Sequence, residues 1–204
     1  MKNNKGSFNE FNTEQGKSLL ALARHTIMKE LKLEIDKTRA ALLSDDLKNQ
    51  RFDLHRGTFV TLNIDGDLRG CIGNISASDS VKCGVRENAV NAAFHDPRFP
   101  DLSEDELGKI KIEISILSEP QPVEYKDGAD LIKKLNPNSD GLILRKGAAG
   151  ATFLPQVWKQ LPNPEEFLTH LCLKAGLTAD AWTSSGLEAL TYQVQHFEEP
   201  PDPE

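Results

Sequence analysis

The sequence of 204 residues has no long apolar run, and its longest one falls well short of the roughly 20 residues that a membrane-spanning helix requires. The first ten residues are polar, so we expect no export signal there. Only three cysteines are present, Cys71, Cys83 and Cys172, and no two of them have CxxC spacing. These absences predict a protein of the reducing cytoplasm, without a disulfide framework and not bound to a membrane.

Positive charge is also scarce, with 24 Lys and Arg against 31 Asp and Glu and a net charge of −7. Binding nucleic acid without regard to sequence needs clustered Lys and Arg, so tight binding of that kind is not expected. The five histidines show no paired metal spacing, and we expect neither a metal nor a cofactor. The chain is nevertheless long enough to bury a full core, as one domain or as a tightly joined pair of lobes.

Hydrophobic periodicity predicts a mixture of helices and antiparallel strands. Asn12 and Gln15 have the spacing of a capping box that begins a helix. Residues 58–73 predict a hairpin about the turn pair Asp65-Gly66. Alternating isoleucines over residues 110–116 predict a further strand with one buried face. Because strands and helices do not alternate regularly, we predict an α+β fold, mainly antiparallel sheet with helices packed on it.

The same patterns set the limits of the predicted domain at residues 12 and 197. Residues 1–11 are expected to be a flexible N-terminus, and residues 198–204 an acidic, proline-rich and frayed tail. Just before that tail, residues 187–197 predict one last strand. The sequence does not indicate where one lobe would end and the other begin.

The segment Leu68-Arg69-Gly70-Cys71-Ile72-Gly73 is the first candidate for chemistry. Residues two apart in a strand share a face, so Arg69 and Cys71 are expected to point the same way. A guanidinium beside a thiol favours the nucleophilic thiolate, which makes both of them candidate catalytic residues. Gly70 and Gly73 are candidate ligand-binding positions, because they let a ligand or another backbone approach closely. The alternative is a buried thiol in a small pocket, with Arg69 in a structural ion pair.

The segment Asp96-Pro97-Arg98-Phe99-Pro100 is the second candidate. It follows a predicted helix, and its two prolines make it stiff, so Asp96 and Arg98 could be fixed at the edge of a binding cleft. The alternative is a helix-terminating turn in which Arg98 binds the last carbonyl groups. Gln156, beside Pro155, is a third candidate ligand-binding residue because it suits the lining of a groove.

Four segments of the sequence resemble the AMMECR domain family, whose prokaryotic branch is called AmmeMemoRadiSam system protein A. The similarity covers residues 12–197 in the same order and with similar spacing. The matching segments are residues 68–73, 96–99, 154–157 and 173–177. The resemblance implies an α+β fold of two lobes with a cleft between them. It does not imply an established reaction.

The resemblance also implies companions, a Memo-like protein and a radical SAM protein whose genes accompany this family. Two functions stay open at this point. The protein is an enzyme in which Cys71 is a nucleophile or a covalent anchor, or it is an adaptor that binds a nucleotide, an RNA segment or a companion protein. In the second case the Cys71 segment is structural. The sequence does not choose between a small-molecule and an RNA ligand, and it does not indicate an oligomeric state.

Overall fold

The structure, a computed structural model, describes residues 8–184 and 186–200. The α-helices in these residues are α1 (Thr13–Glu30), α2 (Lys37–Asp46), α3 (Val81–Phe94), α4 (Glu104–Leu107), α5 (Gly128–Lys134) and α6 (Pro164–Lys174). The strands are β1 (Thr58–Ile64), β2 (Asp67–Asn74), β3 (Ile110–Leu117), β4 (Gln121–Pro122), β5 (Gly141–Lys146), β6 (Ala149–Phe153), β7 (Glu188–Tyr192) and β8 (Val194–Glu198). Among these helices, none combines the length and the apolarity needed to cross a membrane.

The strands form two four-stranded sheets. The first sheet has the order β2-β1-β3-β8, and the second has the order β4-β7-β5-β6. Strand β1 is antiparallel to both β2 and β3, and β5 is antiparallel to both β6 and β7. The predicted α+β class, built on antiparallel sheet, is therefore confirmed.

The described residues divide into two compact units. The first unit comprises residues 9–117 and 195–200 and holds the first sheet with α1 to α4. The second unit comprises residue 8 and residues 118–194 and holds the second sheet with α5 and α6. The cleft that the family resemblance implies stays a prediction.

Local sequence signals explain the main elements of the first unit. Asn12 begins α1 through the predicted capping box, in which its side chain accepts from the N–H of Gln15 while the Gln15 side chain accepts from the N–H of Asn12. The predicted hairpin forms as β1 and β2, and Asp65 and Gly66 both have the positive φ that its turn requires. The alternating isoleucines form β3, as predicted.

One face of the first sheet is covered by helices. Strands β1 and β2 contact α3, and β3 contacts α1. Val60 and Leu62 of β1 are fully buried on this side, as are Val85 and Ala89 of α3. Because side chains alternate along a strand, Thr61 lies on the opposite face, which we call the polar face of the first sheet.

The second unit has a core built around α6. Asn163 caps this helix and Pro164 is its first residue, a position that suits proline because its missing N–H has no helical partner there. The ring of Phe167 stacks on that of Trp158 with centroids 3.7 Å apart, and both side chains are buried. Cys172, five residues after Phe167 in α6, belongs to the same apolar cluster.

The prediction of one last strand over residues 187–197 was wrong. The segment is two strands, β7 in the second sheet and β8 in the first. The residue between them, Gln193, bonds through its N–H to Oγ of Ser118 and through its carbonyl oxygen to the N–H of Ser118. These two hydrogen bonds to Ser118 interrupt the strand at Gln193. A hydrophobic pattern cannot predict the interruption, because Ser118 is far away in the sequence.

Packing extends beyond the predicted domain limits at both ends. Phe11 is buried, and the N–H groups of Glu10 and Phe11 donate to Oε1 of Gln195, so order begins before residue 12. Glu199 accepts two hydrogen bonds from Arg24, so order continues beyond residue 197. In each of these contacts the two residues are more than 170 positions apart in the sequence, so sequence position alone could not predict them. Residues 1–7 and 201–204, the rest of the predicted flexible ends, lie outside the described residues.

Candidate functional site

A β-bulge at Arg69 decides where the cysteine of the first candidate segment points. Leu62 pairs with Gly70 and Asn63 pairs with Leu68, so Arg69 is an extra residue without a cross-strand partner. Beyond the bulge Cys71 lies opposite Thr61 rather than opposite Val60. The bulge therefore turns Cys71 away from the helix-covered core and onto the polar face of the first sheet.

Thr61 is the nearest polar neighbour of the Cys71 sulfur. Its hydroxyl group donates a hydrogen bond to Sγ at 3.2 Å, and both side chains are half-buried. The backbone N–H and C=O of Cys71 point away from β1, so the two residues form a non-hydrogen-bonded pair. Side chains approach each other most closely in such pairs, which explains this contact.

The second candidate segment closes the exposed edge of β2 at Cys71. Strand β2 is an edge strand of the first sheet, and its outward N–H and C=O groups lack a neighbouring strand. The N–H of Cys71 donates to Oδ2 of Asp96 at 2.9 Å, and its carbonyl oxygen accepts from Nη2 of Arg98 at 3.1 Å. The two candidate segments therefore meet at one residue.

Asp96 and Arg98 also bind each other. The Asp96 carboxylate is buried and accepts from the N–H, Nε and Nη2 groups of Arg98 as well as from Cys71. The Arg98 guanidinium, followed by the N–H of Cys71, holds the pKa of this carboxyl well below its usual range despite burial. The Asp96 hydrogen bonds, together with the nearby Cys71 thiol, raise the pKa of Arg98. Asp96 is thus a fixed anion that positions its neighbours.

Arg98 is the more accessible partner of this pair. Its side chain is 53% exposed, whereas that of Asp96 is 2% exposed. Its Nη1 group makes no hydrogen bond to any residue that the structure describes. Its guanidinium carbon lies 5.4 Å from the centre of the Phe99 ring. The guanidinium of Arg98 is therefore held at Nε and Nη2, while Nη1 faces no partner among the described residues.

Arg69 forms an ion pair with Glu106, a residue that the sequence analysis did not place in the candidate site. Its Nε donates to Oε1 of Glu106 at 2.8 Å and its Nη2 donates to Oε2 at 3.1 Å. The Arg69 hydrogen bonds, with help from Ser103, lower the pKa of Glu106 to about 2. The predicted role of Arg69 in activating the thiol stays a prediction, while the ion pair matches the structural alternative for this residue.

Both glycines of the first candidate segment are closely approached by other parts of the protein. A Cβ atom at Gly70 would lie 2.1 Å from the carbonyl oxygen of Ala92 in α3. A Cβ atom at Gly73 would lie 2.3 Å from the ring of Phe59. Close approach was expected here, and protein atoms account for it. Direct contact of either glycine with a ligand stays a prediction.

The remaining candidate, Gln156, is exposed and belongs to the second unit, in a 3₁₀-helix over Pro155–Lys159. Its predicted role in ligand binding has no support from a polar contact among the described residues. The sequence analysis missed Thr61 and Glu106, which bind the Cys71 sulfur and Arg69. A Ser103–Glu106 capping box marks the latter, but nothing local to Thr61 indicates its partner.

Fold and site together define an α+β protein with a half-buried cysteine on an edge strand. An aspartate–arginine pair binds the backbone N–H and C=O of that cysteine. Family comparison agrees with this description. The AMMECR1 family model matches residues 20–197, and the chain belongs to this family. The resemblance inferred from the four sequence segments is therefore confirmed.

Archaeal relatives match nearly the whole chain. A protein of Methanothermobacter thermautotrophicus is 36% identical over 187 residues, which cover 91% of this chain and 95% of that protein. The protein Mbar_A1807 of Methanosarcina barkeri is 37% identical over 189 residues, which cover 91% and 90%. The crystal structure of the uncharacterized protein PH0010 from Pyrococcus horikoshii matches with a TM-score of 0.77 and 30% identity, covering 93% of this chain and 94% of that one. These names assign no activity to the relatives.

Proposed function

We propose that the protein carries out thiol-dependent chemistry, with Cys71 as the nucleophile and Arg98 as the group that binds an anionic substrate. As the family resemblance implies, it would act in the cytoplasm with a Memo-like protein and a radical SAM protein. The observation that carries the proposal is the position of the sulfur. The sulfur lies on the polar face of the first sheet. The Thr61 hydroxyl donates to it at 3.2 Å, and the accessible guanidinium of Arg98 donates to the carbonyl oxygen of the same cysteine.

The polar neighbours of Cys71 suit a sulfur that acts as a nucleophile. The Thr61 hydroxyl donates a hydrogen bond to the sulfur and so helps to orient it. The Arg98 guanidinium adds positive charge on the other side of the same residue. Arg98 thus takes the place that the sequence analysis gave to Arg69.

The proposed step needs no cofactor. The Cys71 thiol loses its proton to solvent, and Sγ forms a bond to an electrophilic carbon of the substrate. The bond from that carbon to the leaving group breaks, and the leaving group departs with the electron pair. Arg98 would hold an anionic group of the substrate through its open side, while Asp96 keeps the guanidinium in place.

Alkylation of the thiol tests this proposal. The rate of Cys71 modification by iodoacetamide is measured at pH 7 by peptide mass spectrometry, in a Cys83→Ser background that removes an exposed thiol. We expect Cys71 to react faster than the free thiol of N-acetylcysteine. Thr61→Val should slow it about fivefold, since a hydrogen bond contributes roughly 1 kcal/mol, and Thr61→Ser should restore the rate.

The charge of the reagent tests the role of Arg98. Iodoacetate carries a carboxylate and iodoacetamide does not, so Arg98→Ala should slow iodoacetate more than iodoacetamide. The matched control is Arg86→Ala, which removes an exposed arginine of α3. The proposal fails if Cys71 reacts no faster than the free thiol, or reacts only after unfolding. The part given to Arg98 fails if both arginine variants change the two rates alike.

A specific observation also favours the adaptor function. Nε and Nη2 of Arg69 and both carboxylate oxygens of Asp96 bind other protein groups, and the two glycines accommodate protein atoms. On this second proposal the segment around Cys71 is structural, and the protein binds a companion protein or a nucleotide through another surface. Cys71→Ser separates the two functions. Retained stability with lost activity supports chemistry, whereas lost stability with an inert thiol supports the adaptor.

An RNA ligand has weaker support than a protein partner. The net charge of −7 disfavours RNA, and of the four cations that could form a basic patch (Arg69, Lys82, Arg86 and Arg98), Arg69 and Lys82 are each held in an ion pair. Capture of the tagged protein from cells should therefore recover the Memo-like or the radical SAM protein rather than RNA. Recovery of none of these would contradict the adaptor function. Recovery of RNA should be tested by its salt dependence, because phosphate contacts weaken steeply with salt.

A further inference from the structure

Three side chains with metal-ligating groups lie together on the polar face of the first sheet, beside the Cys71 site, because Glu113 pairs with Thr61 on the neighbouring strand. Glu113 belongs to β3, and His196 and Glu198 belong to the neighbouring strand β8. One ligand atom from each residue lies within 4.8 Å of the other two. His196 and Glu198 are two residues apart, so they share a face of β8. We propose that these three residues bind a divalent transition-metal ion.

The distances suit ligands of one ion better than hydrogen-bond partners. Nε2 of His196 lies 3.7 Å from an oxygen of Glu113 and 3.7 Å from an oxygen of Glu198. Both separations exceed a normal hydrogen bond. Nitrogen and oxygen ligands bind zinc at about 2.0–2.2 Å, so two ligands of one tetrahedral ion lie roughly 3.3–3.6 Å apart, close to the separations seen here. The imidazole nitrogen is equally distant from both carboxylates.

Glu113 is held in the orientation that such a site needs. Its Oε1 accepts a hydrogen bond of 2.7 Å from Nδ2 of Asn63, while its Oε2 faces His196. An outer partner of this kind orients a metal ligand and is a regular feature of protein metal sites. Asn63 lies on the polar face of β1, so the arrangement spans three neighbouring strands.

The carboxylate charges of Glu113 and Glu198 also favour a bound cation. Among the described residues, no lysine or arginine forms an ion pair with Glu113 or Glu198. Like charges on neighbouring strands repel each other, and a bound divalent cation would remove that cost. One imidazole and two carboxylates suit zinc and manganese. With three protein ligands and an exposed histidine, the ion would keep at least one position for water or a substrate.

Zinc alone is the probe for this site. Isothermal titration calorimetry of the metal-free full chain should give one bound Zn²⁺ per chain. His196→Ala and Glu198→Gln should each weaken binding at least tenfold. His170→Ala is the matched control, since it removes an exposed histidine of the second unit and should leave binding unchanged. Cys71→Ser should also leave it unchanged, which keeps this result separate from the proposed thiol chemistry.

The proposal is overturned if the wild-type chain binds no zinc, or if His196→Ala binds it as tightly as the wild type does. It is equally overturned if Cys71→Ser abolishes binding, because the metal would then belong to the thiol. Thermal melting in EDTA checks the fold of each variant. Zinc should raise the melting temperature of the wild type and of His170→Ala, and it should not raise that of His196→Ala.

Discussion

The two units each contain a cysteine whose surroundings differ sharply. Cys71 lies half-buried on the polar face of an edge strand, with the Thr61 hydroxyl on its sulfur and Asp96 and Arg98 on its backbone. Cys172 is fully buried in the apolar cluster of α6, where burial raises the pKa of its thiol. Burial and bonding partners, rather than the fact that both cysteines are free, therefore distinguish the two thiols.

The sequence predicts the surroundings of Cys172 but not those of Cys71. Cys172 follows Phe167, Leu168 and Leu171 at helical spacing, which predicts a core position from the sequence alone. The position of Cys71 depends on Thr61, Asp96 and Arg98, which are 10 to 27 residues away. A thiol in a helix core is thus a local property of the sequence, and a thiol at a sheet edge is a tertiary one.

The largest expected contrast is in chemical labelling of the native protein. Iodoacetamide should modify Cys71 and the exposed Cys83 under native conditions, whereas Cys172 should react only after unfolding. Because folded domains open globally in about one molecule in a thousand or fewer, Cys172 should react at least roughly 100-fold more slowly than Cys71. Peptide mass spectrometry against time gives the three rates separately.

Cys83 is the internal reference for that experiment, since it is exposed on α3 in the same unit as Cys71. Labelling of Cys172 at a rate near that of Cys71 would remove the contrast between the two units. Labelling of Cys83 alone would show that the sulfur of Cys71 is protected, which would also contradict the proposed chemistry. In urea, all three cysteines should react at the same rate.

The next largest contrast is in the cost of replacing each cysteine by serine. Cys172→Ser places a hydroxyl group among apolar side chains, with only the backbone N–H of Trp182 as a polar neighbour, which should lower the free energy of unfolding by about 1–3 kcal/mol. At Cys71 the hydroxyl of Thr61 is already present as a partner, so Cys71→Ser should cost less than about 1 kcal/mol. Urea denaturation measures both values.

The two serine variants are each other's control, because they make the same chemical change. A loss at Cys71 as large as that at Cys172 would favour the adaptor function, in which the segment around Cys71 is structural. Cys172→Ala extends the comparison. It introduces no polar group, so it should cost less than Cys172→Ser if burial of the hydroxyl is the cause of the loss.

The hairpin shows how far sequence reasoning extends and where it stops. Its strands and its Asp65-Gly66 turn were predicted correctly, because turn chemistry and alternation are local. An uninterrupted hairpin with this turn would place Cys71 opposite Val60, on the core side. The bulge at Arg69 moves it opposite Thr61, and no residue pattern within the hairpin marks that shift.

The candidate site divides in the same way. Cys71, Arg69, Asp96 and Arg98 were identified from residue type and family resemblance, and the structure brings them together along one edge strand. Their pairing was not predicted: the sequence analysis expected Arg69 beside the Cys71 thiol, whereas Arg69 binds Glu106 and Arg98 binds the backbone of Cys71. Side-chain pairing across loops depends on tertiary distances, so the sequence could name the groups without naming the pairs.

The smallest expected effect concerns the ion pair that holds Arg69 beside the site. Glu106→Gln removes the charge but keeps the shape. We expect a loss of about 1–2 kcal/mol at pH 7, since hydrogen bonds to charged groups contribute roughly 1.5–3 kcal/mol and the Gln amide oxygen keeps part of that. The pKa of Glu106 is lowered to about 2 in the folded protein. Its contribution is therefore complete above the unfolded pKa of about 4.3 and is lost as the pH falls towards 2.

The pH dependence distinguishes this electrostatic role from a packing role. The difference in stability between wild type and Glu106→Gln should be constant from pH 6 to 8 and should shrink below about pH 4. Glu14→Gln is the matched control, because its ion pair with Lys17 is exposed on both sides and should contribute little at any pH. A difference that persists unchanged at pH 3 would mean that Glu106 supports Arg69 by shape, and that Arg69 does not depend on this charge for its position near Cys71.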